Sequence, residues 1–353
     1  MSFFAVTIQE IDKTWPIEGA DAIELAKVKN FTWQFVVRKG SLVPGDVVAY
    51  FPLDAIIPQS VLEKMGMVGK FSGKDKDRVK TKTFRGQISQ GFVCKVEELS
   101  DFIPKSQPLN VGVDLTEFLG VIKYEPPVVP DKAGKLYPLP AFCHGKYDIE
   151  GCDNYPDVVQ MLMDQRVAIF EKMEGSNFST GMDASEKPAK LYVSQRNYTI
   201  VPIEGHIHDF WKVAKNQKII DAAQALHRHY CGSVLIRGEM LGPGYQGNIY
   251  KLKDHEVMVY DLMLDDKYVD AGRFFELCDQ YNLKTCPVLA KNVILRDWLA
   301  GRTIDEAATG ESVLFKTLRE GIVIKPMVES RNNFIGRTII KHRSAKYLAK
   351  QED

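Results

Sequence analysis

Residues 170–179 read FEKMEGSNFS, and this stretch decides how the fold is interpreted. The apolar run 167–170 predicts a buried strand that stops on Lys172, between Glu171 and Glu174 and close to Gly175. A salt-bridged turn explains such a pattern on the surface of any protein. A lysine nucleophile for a nucleotide explains it too, because glycine lets a backbone approach a ligand without a Cβ clash. The rest of the chain has to distinguish these two interpretations.

The composition is that of an ordinary globular chain. A length of 353 residues indicates about two domains. The 46 basic and 46 acidic residues cancel, so any nucleic-acid surface must come from a local arrangement of charge. No apolar run approaches the ~20 residues that span a bilayer, which predicts no membrane partner. The six scattered cysteines form no metal or redox pattern and predict a cytoplasmic or other reducing intracellular location.

The pattern of elements changes twice along the chain. Residues 1–122 read as short strands with turn punctuation, which predicts a small barrel or sandwich. Residues 123–154 are rich in proline and predict an extended connector. Residues 155–353 alternate strands with helical patterns, including predicted helices over 209–230 and 303–318. These patterns together predict an α+β protein.

Charged residues stand at the ends of several predicted strands in the second half. Lys172 and Glu239 end apolar runs, and Glu320 begins one. Lys341 and Arg343 alternate along a strand and therefore face the same side. Taken singly, each of these residues is more typical of a surface ion pair or a turn. Their convergence on one cleft would supply a nucleophile, carboxylates for a divalent metal and cations for phosphate.

The order of the set resembles the covalent nucleotidyltransferases of the ligase and capping-enzyme superfamily, and most specifically the ATP-dependent RNA ligases. The segments that carry the resemblance are Lys172-Met173-Glu174-Gly175, YVSQRNY (192–198) with Arg196, LIRGEMLGPGYQG (235–247) with Glu239, VMVYDL (257–262) with Tyr260 and Asp261, REGIVIKP (319–326) with Glu320 and Lys325, and TIIKHRS (338–344) with Lys341 and Arg343. The resemblance covers essentially the whole second half of the chain.

The resemblance implies a function and a role for each matched residue. It implies a ligase that uses ATP with Mg²⁺ or Mn²⁺ to join RNA 3′-hydroxyl and 5′-phosphate ends through a lysyl-AMP, in repair of nicked RNA. The implied catalytic residues are Lys172, Glu174, Arg196, Glu239, Glu320, Lys341 and Arg343. The implied nucleotide-binding residues are Glu171 (to the adenine amine), Lys172, Gly175, Arg196, Tyr260 (stacked on the base), Asp261, Lys325, Lys341 and Arg343. The implied metal-binding residues are Glu174, Glu239 and Glu320.

Two features resemble RNA ligases more than DNA ligases or capping enzymes. Asn177 stands where those other branches carry an arginine, and only about ten residues follow Arg343, too few for the OB module that they place there. The barrel predicted at the front resembles an RNA ligase branch with an amino-terminal OB domain. We therefore expect an OB-like barrel over 1–122, a connector over 123–154 and an adenylyltransferase domain over 155–353, with ATP-grasp-like antiparallel sheets and helices. We expect this protein to act as a monomer on RNA and ATP.

A basic segment in the first domain is the candidate RNA surface. Seven basic and two acidic residues lie between Lys70 and Arg85, flanked by Phe71 and Phe84. OB barrels bind nucleic acid with basic loops and aromatic side chains, whereas a solvated surface loop has the same composition. The candidate contacts are Lys74, Lys76, Arg78, Lys80, Lys82 and Arg85.

Two other functions fit parts of the pattern. A GTP-dependent RNA capping guanylyltransferase would use the same lysine chemistry with another base and acceptor. A non-catalytic RNA-binding protein would keep the barrel and carry an inactive transferase domain.

Overall fold

The computed structural model describes residues 4–125, 134–205 and 207–350. Within these ranges the chain forms two compact units. The smaller unit contains residues 4–125, 153–156 and 348–350, and the larger unit contains residues 134–152, 157–205 and 207–347. Part of the predicted proline-rich connector, residues 126–133, lies outside the described residues. The domain boundaries given above remain a prediction.

The smaller unit is built almost entirely from short strands. Its elements are β1 (Thr7–Pro16), β2 (Ile23–Val28), β3 (Phe35–Arg38), β4 (Val47–Phe51), β5 (Ala55–Ile56), α1 (Gln59–Lys64), β6 (Lys82–Phe84), β7 (Gln87–Ser89), β8 (Phe92–Lys95) and β9 (Ile122–Lys123). The main antiparallel sheet has the order β3-β2-β1-β4-β8. Strands β6 and β7 form a hairpin, and β5 pairs with the distant strand β9.

The first strand curls the main sheet into an OB-like barrel. The first part of β1 pairs with β4 and the second part pairs with β2, with an irregularity in register between Ile11 and Lys13. A bulge of this kind increases the local twist, so one long strand can serve two faces of a barrel. Buried apolar side chains such as Ile8 and Phe51 fill the interior. The predicted barrel at the front of the chain is confirmed.

The larger unit contains two large sheets, a two-stranded pair between Arg331–Asn332 and Gly336–Arg337, and most of the helices. Its elements are β10 (Gly134–Pro138), β11 (Glu150–Gly151), α2 (Pro156–Leu162), β12 (Arg166–Lys172), β13 (Ser176–Asp183), β14 (Lys190–Gln195), β15 (Tyr198–Pro202), α3 (Asp209–Asn216), α4 (Ile219–Tyr230), β16 (Val234–Leu241), β17 (Glu256–Leu264), β18 (Lys267–Tyr268), α5 (Ala271–Gln280), β19 (Val288–Ile294), α6 (Leu295–Leu299), α7 (Ile304–Ala308), β20 (Gly321–Pro326), β21 (Arg331–Asn332), β22 (Gly336–Arg337), β23 (Ile340–Arg343) and α8 (Ala345–Lys350). Two helices extend into the smaller unit: the first residue of α2, Pro156, and the residues of α8 from Leu348 onward belong to it.

The two large sheets of the larger unit meet at the FEKMEGSNFS stretch. One sheet has seven strands in the order β10-β15-β14-β13-β16-β17-β18, and the other has five in the order β11-β23-β20-β12-β19. Strand β12 ends at Lys172 in the five-stranded sheet, and β13 begins at Ser176 in the seven-stranded sheet. The three residues between them carry the chain from one sheet to the other. Side chains at the ends of both sheets can therefore converge there.

An apolar core holds the larger unit together behind this junction. It combines β12 and β13 with residues of α3, α4 and α5, and it includes Phe170, Phe178 and Phe274. Phe170 stacks on Phe275 with the ring centroids 5.7 Å apart. The mixture of antiparallel sheets and packed helices confirms the predicted α+β fold class.

Two predicted helices differ from the observed ones. The helix predicted over 303–318 is wrong, because α7 ends at Ala308 and the chain then forms a loop. The backbone N–H of Val313 donates to the carboxylate of Glu171 at 2.9 Å, so a tertiary contact replaces a helical hydrogen bond. The helix predicted over 209–230 is divided into α3 and α4 at Lys218, which has a left-handed backbone with φ 56°.

Candidate active site

Lys172 forms an ion pair with Glu320 across neighbouring strands. Strands β12 and β20 are antiparallel partners, with Lys172 opposite Gly321, so Glu320 stands just before its strand and beside the lysine. The Lys172 Nζ lies 2.7 Å from Glu320 Oε1. The Lys172 side chain is 23% exposed, whereas that of Glu320 is 10% exposed. The lysine is thus accessible to a substrate, and a carboxylate stands within reach of its proton.

Glu239 contributes a second carboxylate from the seven-stranded sheet. It lies on β16, opposite Asn177 of β13. Burial raises the pKa of Glu239 to about 8, an effect that the positive charge of Lys172 opposes and the negative charge of Glu320 reinforces. A carboxyl group with a pKa raised toward neutral pH is typical of sites that bind a cation or transfer a proton.

Tyr260 lies on β17 next to this carboxylate. The pairing of β16 with β17 shifts between Arg237 and Gly238, and this bulge leaves Tyr260 without a direct partner on β16. The Tyr260 hydroxyl accepts a hydrogen bond from Asn177 Nδ2 at 2.5 Å. One aromatic neighbour is Tyr147, whose ring centroid is 4.9 Å away at an interplanar angle of 35°. Asn177, noted in the sequence for its difference from arginine, therefore orients the predicted base-stacking ring.

Three cations surround the ion pair, and one acid connects two of them. Lys341 Nζ lies 3.1 Å from Asp148 Oδ1, and Arg196 lies 3.2 Å from Asp148 Oδ2. Burial lowers the pKa of Lys341 below its usual range. Asp148 opposes this effect, and the positive charges of Lys172 and Arg343 add to it. Motif reasoning missed Asp148 and Tyr147, because both lie in the proline-rich segment that was interpreted as a connector.

Strand β23 presents the last cation from a fixed backbone. Arg343 pairs with Gly321 across β20 and β23 and is half-buried. A Cβ added at Gly321 would lie 1.9 Å from the His342 carbonyl oxygen, so only glycine allows this close approach. On the opposite face of β23, His342 Nε2 lies 2.8 Å from Asp305 Oδ1. These contacts hold the strand that carries Lys341 and Arg343.

Glu174 is anchored by structural hydrogen bonds. Its Oε1 accepts from the backbone N–H of Gly247 at 2.8 Å, and its Oε2 accepts from the Tyr347 hydroxyl at 2.5 Å. Its own backbone N–H donates to the Tyr250 hydroxyl at 2.8 Å. Among the described residues, Glu174, Glu239 and Glu320 form no group whose carboxylates all lie within 4.8 Å of one another. The structure does not bring the three predicted metal ligands together.

Gly175 has a packing role in addition to any role at a ligand. A Cβ at this position would lie 2.5 Å from the Met240 carbonyl oxygen and 2.8 Å from Glu239 Cγ. Glycine therefore lets the start of β13 approach β16 closely enough to set the position of Glu239.

Asp261 and Lys325 form a buried ion pair with each other. Lys325 Nζ lies 2.8 Å from Asp261 Oδ1, and the two side chains are 1% and 0% exposed. Burial alone would raise the pKa of Asp261, but Lys325 and Arg337 outweigh it and hold that pKa below its usual range. Glu329 pairs with both Lys325 and Arg337. In this structure the two side chains are buried and contact each other. A direct contact of Asp261 or Lys325 with a nucleotide stays a prediction.

Glu171 is buried beneath the nucleophile loop. One carboxylate oxygen accepts from the Val313 N–H, and the other has no hydrogen-bond partner among the described residues. Burial of a carboxylate oxygen without a donor is costly, so the atom is available to an amine. The role of Glu171 toward the adenine amine stays a prediction.

The carboxylates that fit a divalent metal are Glu239 and Glu320. Mg²⁺ and Mn²⁺ prefer oxygen ligands, and magnesium often keeps several of its waters. Neither oxygen of Glu174 is without a donor, so this residue fits the metal less well than the other two. The two remaining carboxylates are close enough for Glu320 to raise the pKa of Glu239, and a cation would relieve that repulsion.

The basic segment of the smaller unit is partly structural. Arg78 donates to Asp54 from two nitrogens, one at 3.0 Å, and its guanidinium lies 3.5 Å from the Tyr124 ring centroid. Lys82 donates to the Lys70 carbonyl oxygen at 2.9 Å. Phe71 belongs to the core and contacts Phe92 edge-on with the centroids 5.1 Å apart, so its ring is not available for base stacking.

The remaining cations of this segment face outward. Lys74, Lys76 and Arg85 are exposed, and Lys80 is half-buried. Arg85 has a left-handed backbone with φ 48° in the turn between β6 and β7. Their contact with RNA stays a prediction.

Comparisons with known proteins give the family. A family model described as RNA ligase matches residues 165–343, and another described as an OB-fold domain matches residues 5–96. No curated protein matches the chain. Among solved structures, Naegleria gruberi RNA ligase with PPi is 27% identical, covers 99% of both chains and has a TM-score of 0.80.

Two mutant forms of that ligase are equally similar. A form with AMP and Mn is 28% identical, covers 99% of both chains and has a TM-score of 0.80. A form with ATP and Mn is 27% identical, covers 99% of both chains and has a TM-score of 0.79. The first family model spans about half of the chain and contains five of the six matched segments in full and the sixth as far as Arg343. The chain therefore belongs to the RNA ligase family.

Proposed function

We propose that this RNA ligase works through a covalent adduct between Lys172 and AMP derived from ATP. The observation that carries the proposal is the partly accessible Lys172 side chain, whose ammonium lies 2.7 Å from Glu320 and near enough to Lys341 to lower the pKa of that lysine. A lysine can attack phosphorus only after it loses a proton, and Glu320 is placed to accept that proton. The relatives that match this chain were solved with PPi, with AMP and Mn, and with ATP and Mn, which supports ATP as the nucleotide.

The reaction has three balanced steps. First, Lys172 Nζ forms a bond to the α-phosphorus of ATP, the bond to the β-phosphate oxygen breaks, and pyrophosphate leaves. Second, a 5′-phosphate oxygen of RNA attacks the same phosphorus, the bond from phosphorus to the lysine nitrogen breaks, and that nitrogen takes back the proton that Glu320 accepted in the first step. Third, the RNA 3′-hydroxyl attacks the 5′-phosphorus, loses its proton and displaces AMP. Each step develops negative charge on phosphate oxygens, so fixed positive charge supplies most of the stabilisation.

The residues of the site divide this work among them. Lys341, Arg343 and Arg196 neutralise the phosphate charge. Tyr260 stacks on the base, held by Asn177. Glu239 and Glu320 would hold a Mg²⁺ or Mn²⁺ ion, which adds positive charge beside the phosphates when it is bound.

Intact-mass measurement after incubation with ATP and Mn²⁺ tests the proposal. We expect an AMP-sized gain in mass that is absent from Lys172→Ala. Lys284→Ala is the matched control, because Lys284 also pairs with a glutamate, Glu256, but at an exposed position away from the site. No adduct on the wild type, or an adduct that survives in Lys172→Ala, would overturn the proposal. The first result would favour a non-catalytic RNA-binding protein.

Parallel incubation with GTP distinguishes a capping guanylyltransferase from a ligase. A ligase should form its adduct with ATP and seal a nicked RNA duplex with 3′-hydroxyl and 5′-phosphate ends. Preferential labelling by GTP would favour the capping enzyme. Failure to seal nicked RNA, together with efficient sealing of free single strands, would contradict a role in nick repair.

We further propose that the protein acts as a monomer in a reducing intracellular compartment. Its cysteines are all free thiols, and five of the six are buried. No helix within the described residues is long and apolar enough to cross a membrane. Size-exclusion chromatography with light scattering at 39.9 kDa tests the first statement. Retention of sealing activity in reducing buffer and its loss after oxidation of the thiols would agree with the second.

A further inference from the structure

The acid that connects two cations of the site lies outside every matched segment. Asp148 accepts from Lys341 Nζ through Oδ1 at 3.1 Å and from Arg196 through Oδ2 at 3.2 Å. Its side chain is 10% exposed, whereas that of Arg196 is 53% exposed. One carboxylate thus joins a half-buried lysine to an arginine that faces solvent.

These two cations come from different sheets of the larger unit. Lys341 lies on β23 of the five-stranded sheet, and Arg196 lies in the turn between β14 and β15 of the seven-stranded sheet. Two positive charges brought together without an anion repel each other, and an exposed arginine has many rotamers to sample. Asp148 offsets the repulsion and restricts both side chains. It is therefore the group that sets the separation of the two cations before substrate arrives.

The backbone on both sides of Asp148 is held in place. On one side, the Tyr147 hydroxyl donates to Asp261 Oδ2 at 2.9 Å, so the buried ion pair described above fixes the preceding residue. The Tyr147 ring also packs on Tyr260, and the Arg237 guanidinium lies 5.0 Å from its centroid. Because Tyr147 is held in this way, the carboxylate of the next residue, Asp148, has a defined position from which it can orient other side chains.

On its other side, the chain pairs with the strand that carries Lys341. Strand β11 follows Asp148 after one residue, and its Gly151 lies opposite Lys341 in a parallel pairing with β23. The position of Asp148 relative to Lys341 is therefore set by backbone hydrogen bonds as well as by the ion pair.

We propose that Asp148 is a positioning residue that holds Lys341 and Arg196 as a two-cation clamp for the ATP phosphates. The inference rests on the proposed function, because it takes ATP as the ligand of the site. Asp148 itself does not touch the reacting atoms. It fixes the spacing of the two cations that do, and its negative charge opposes the lowering of the Lys341 pKa by burial.

Asp148→Asn, which is nearly isosteric, tests the clamp. We expect the affinity for a non-hydrolysable ATP analogue, measured by calorimetry, to fall about tenfold, the scale of losing one hydrogen bond to a charged group. The initial rate of adduct formation at saturating ATP should fall by a similar factor. Asp164→Asn is the matched control, because Asp164 also pairs with an arginine, Arg296 at 2.9 Å, but on an exposed surface. It should leave affinity and rate unchanged.

The pH profile of adduct formation separates positioning from a purely structural role. The charged groups that act on Lys341 are Asp148, Lys172, Arg343 and Glu239. Asp148 raises the pKa of Lys341, whereas Lys172 and Arg343 lower it. Removal of the Asp148 charge should therefore shift the alkaline decline in the rate of adduct formation to lower pH. A variant in which a smaller fraction of the protein is folded would show a lower rate at every pH, with its alkaline decline at the same pH as in the wild type.

The outcomes are distinct. Wild-type affinity and an unmoved alkaline decline in Asp148→Asn would overturn the clamp, and tighter binding of the analogue would show that Asp148 competes with the phosphates. If Asp148→Asn does not fold, Asp148→Glu keeps the charge but displaces both cations, so it should weaken the analogue without moving the alkaline decline. Wild-type affinity in that variant would also overturn the clamp. A wild type that binds the analogue without forming the adduct would contradict the ligase chemistry, while the affinity ratio still decides the role of Asp148.

Discussion

Replacing Glu239 with glutamine should stabilise the protein while it abolishes catalysis. Burial raises the pKa of the Glu239 carboxyl from 4.5 to about 8 in the folded chain. As the pH rises, this carboxyl therefore loses its proton first in the unfolded chain, which favours unfolding. The wild type therefore loses stability as the pH rises from 4.5 to 8. At 1.36 kcal/mol for each pKa step, the loss is ~4 kcal/mol at pH 8 and ~1 kcal/mol at pH 5. The glutamine amide is still desolvated, so we expect a net gain of about 2 kcal/mol at pH 8 and little at pH 5.

Urea unfolding at pH 5 and pH 8 measures this gain, and intact mass measures the adduct in the same samples. Glu174→Ala is the contrasting variant, because this glutamate accepts hydrogen bonds from the Gly247 N–H and the Tyr347 hydroxyl. Its loss should destabilise the protein by about 3 kcal/mol at both pH values. A Glu239→Gln variant that is less stable than the wild type at pH 8, or equally stabilised at pH 5 and 8, would refute the reasoning.

Three further predictions address the surroundings of the site. Asp261→Asn should cost about 3–5 kcal/mol in urea unfolding, because it leaves the Lys325 ammonium buried without its closest anion, and a double variant with Lys325→Met should recover part of this loss. Gly175→Ala should slow adduct formation and cost about 2 kcal/mol, since its Cβ would lie 2.5 Å from a carbonyl oxygen of β16; wild-type rate and stability would contradict this. Exchange of Lys74 and Lys76 for glutamate should weaken RNA binding and flatten its dependence on salt, while adduct formation on Lys172 is retained; unchanged affinity in a salt titration would remove this segment from the RNA surface.

The sequence predicted that Lys172 and Glu320 stand at strand ends, because an apolar run that stops at a charged residue indicates the end of a buried strand. Lys172 and Glu320 were expected at the ends of two apolar runs, and the pairing of β12 with β20 brings them to 2.7 Å. Asp148 was not expected, because a proline-rich segment carries no period from which the direction of a side chain follows. The helix predicted over 303–318 failed for another reason. Its start is real, with a capping box between Thr303 and Glu306, but Val313 gives its N–H to a distant carboxylate.

The difference between satisfied and unsatisfied charge divides the matched residues into two kinds. Asp261, Lys325 and Glu174 are buried with direct partners, so their charges cannot respond to a ligand without breaking existing bonds. Burial raises the pKa of Glu239 to about 8, and Arg343 is half-buried at the end of β23. A bound cation or phosphate would improve the environment of both residues. A bound substrate and its metal ion would thus gain most of their binding energy at Glu239 on the seven-stranded sheet and at Arg343 on the five-stranded sheet. One segment therefore contains both kinds of residue: in FEKMEGSNFS, Glu174 secures the turn, and Lys172 remains partly accessible beside Glu320.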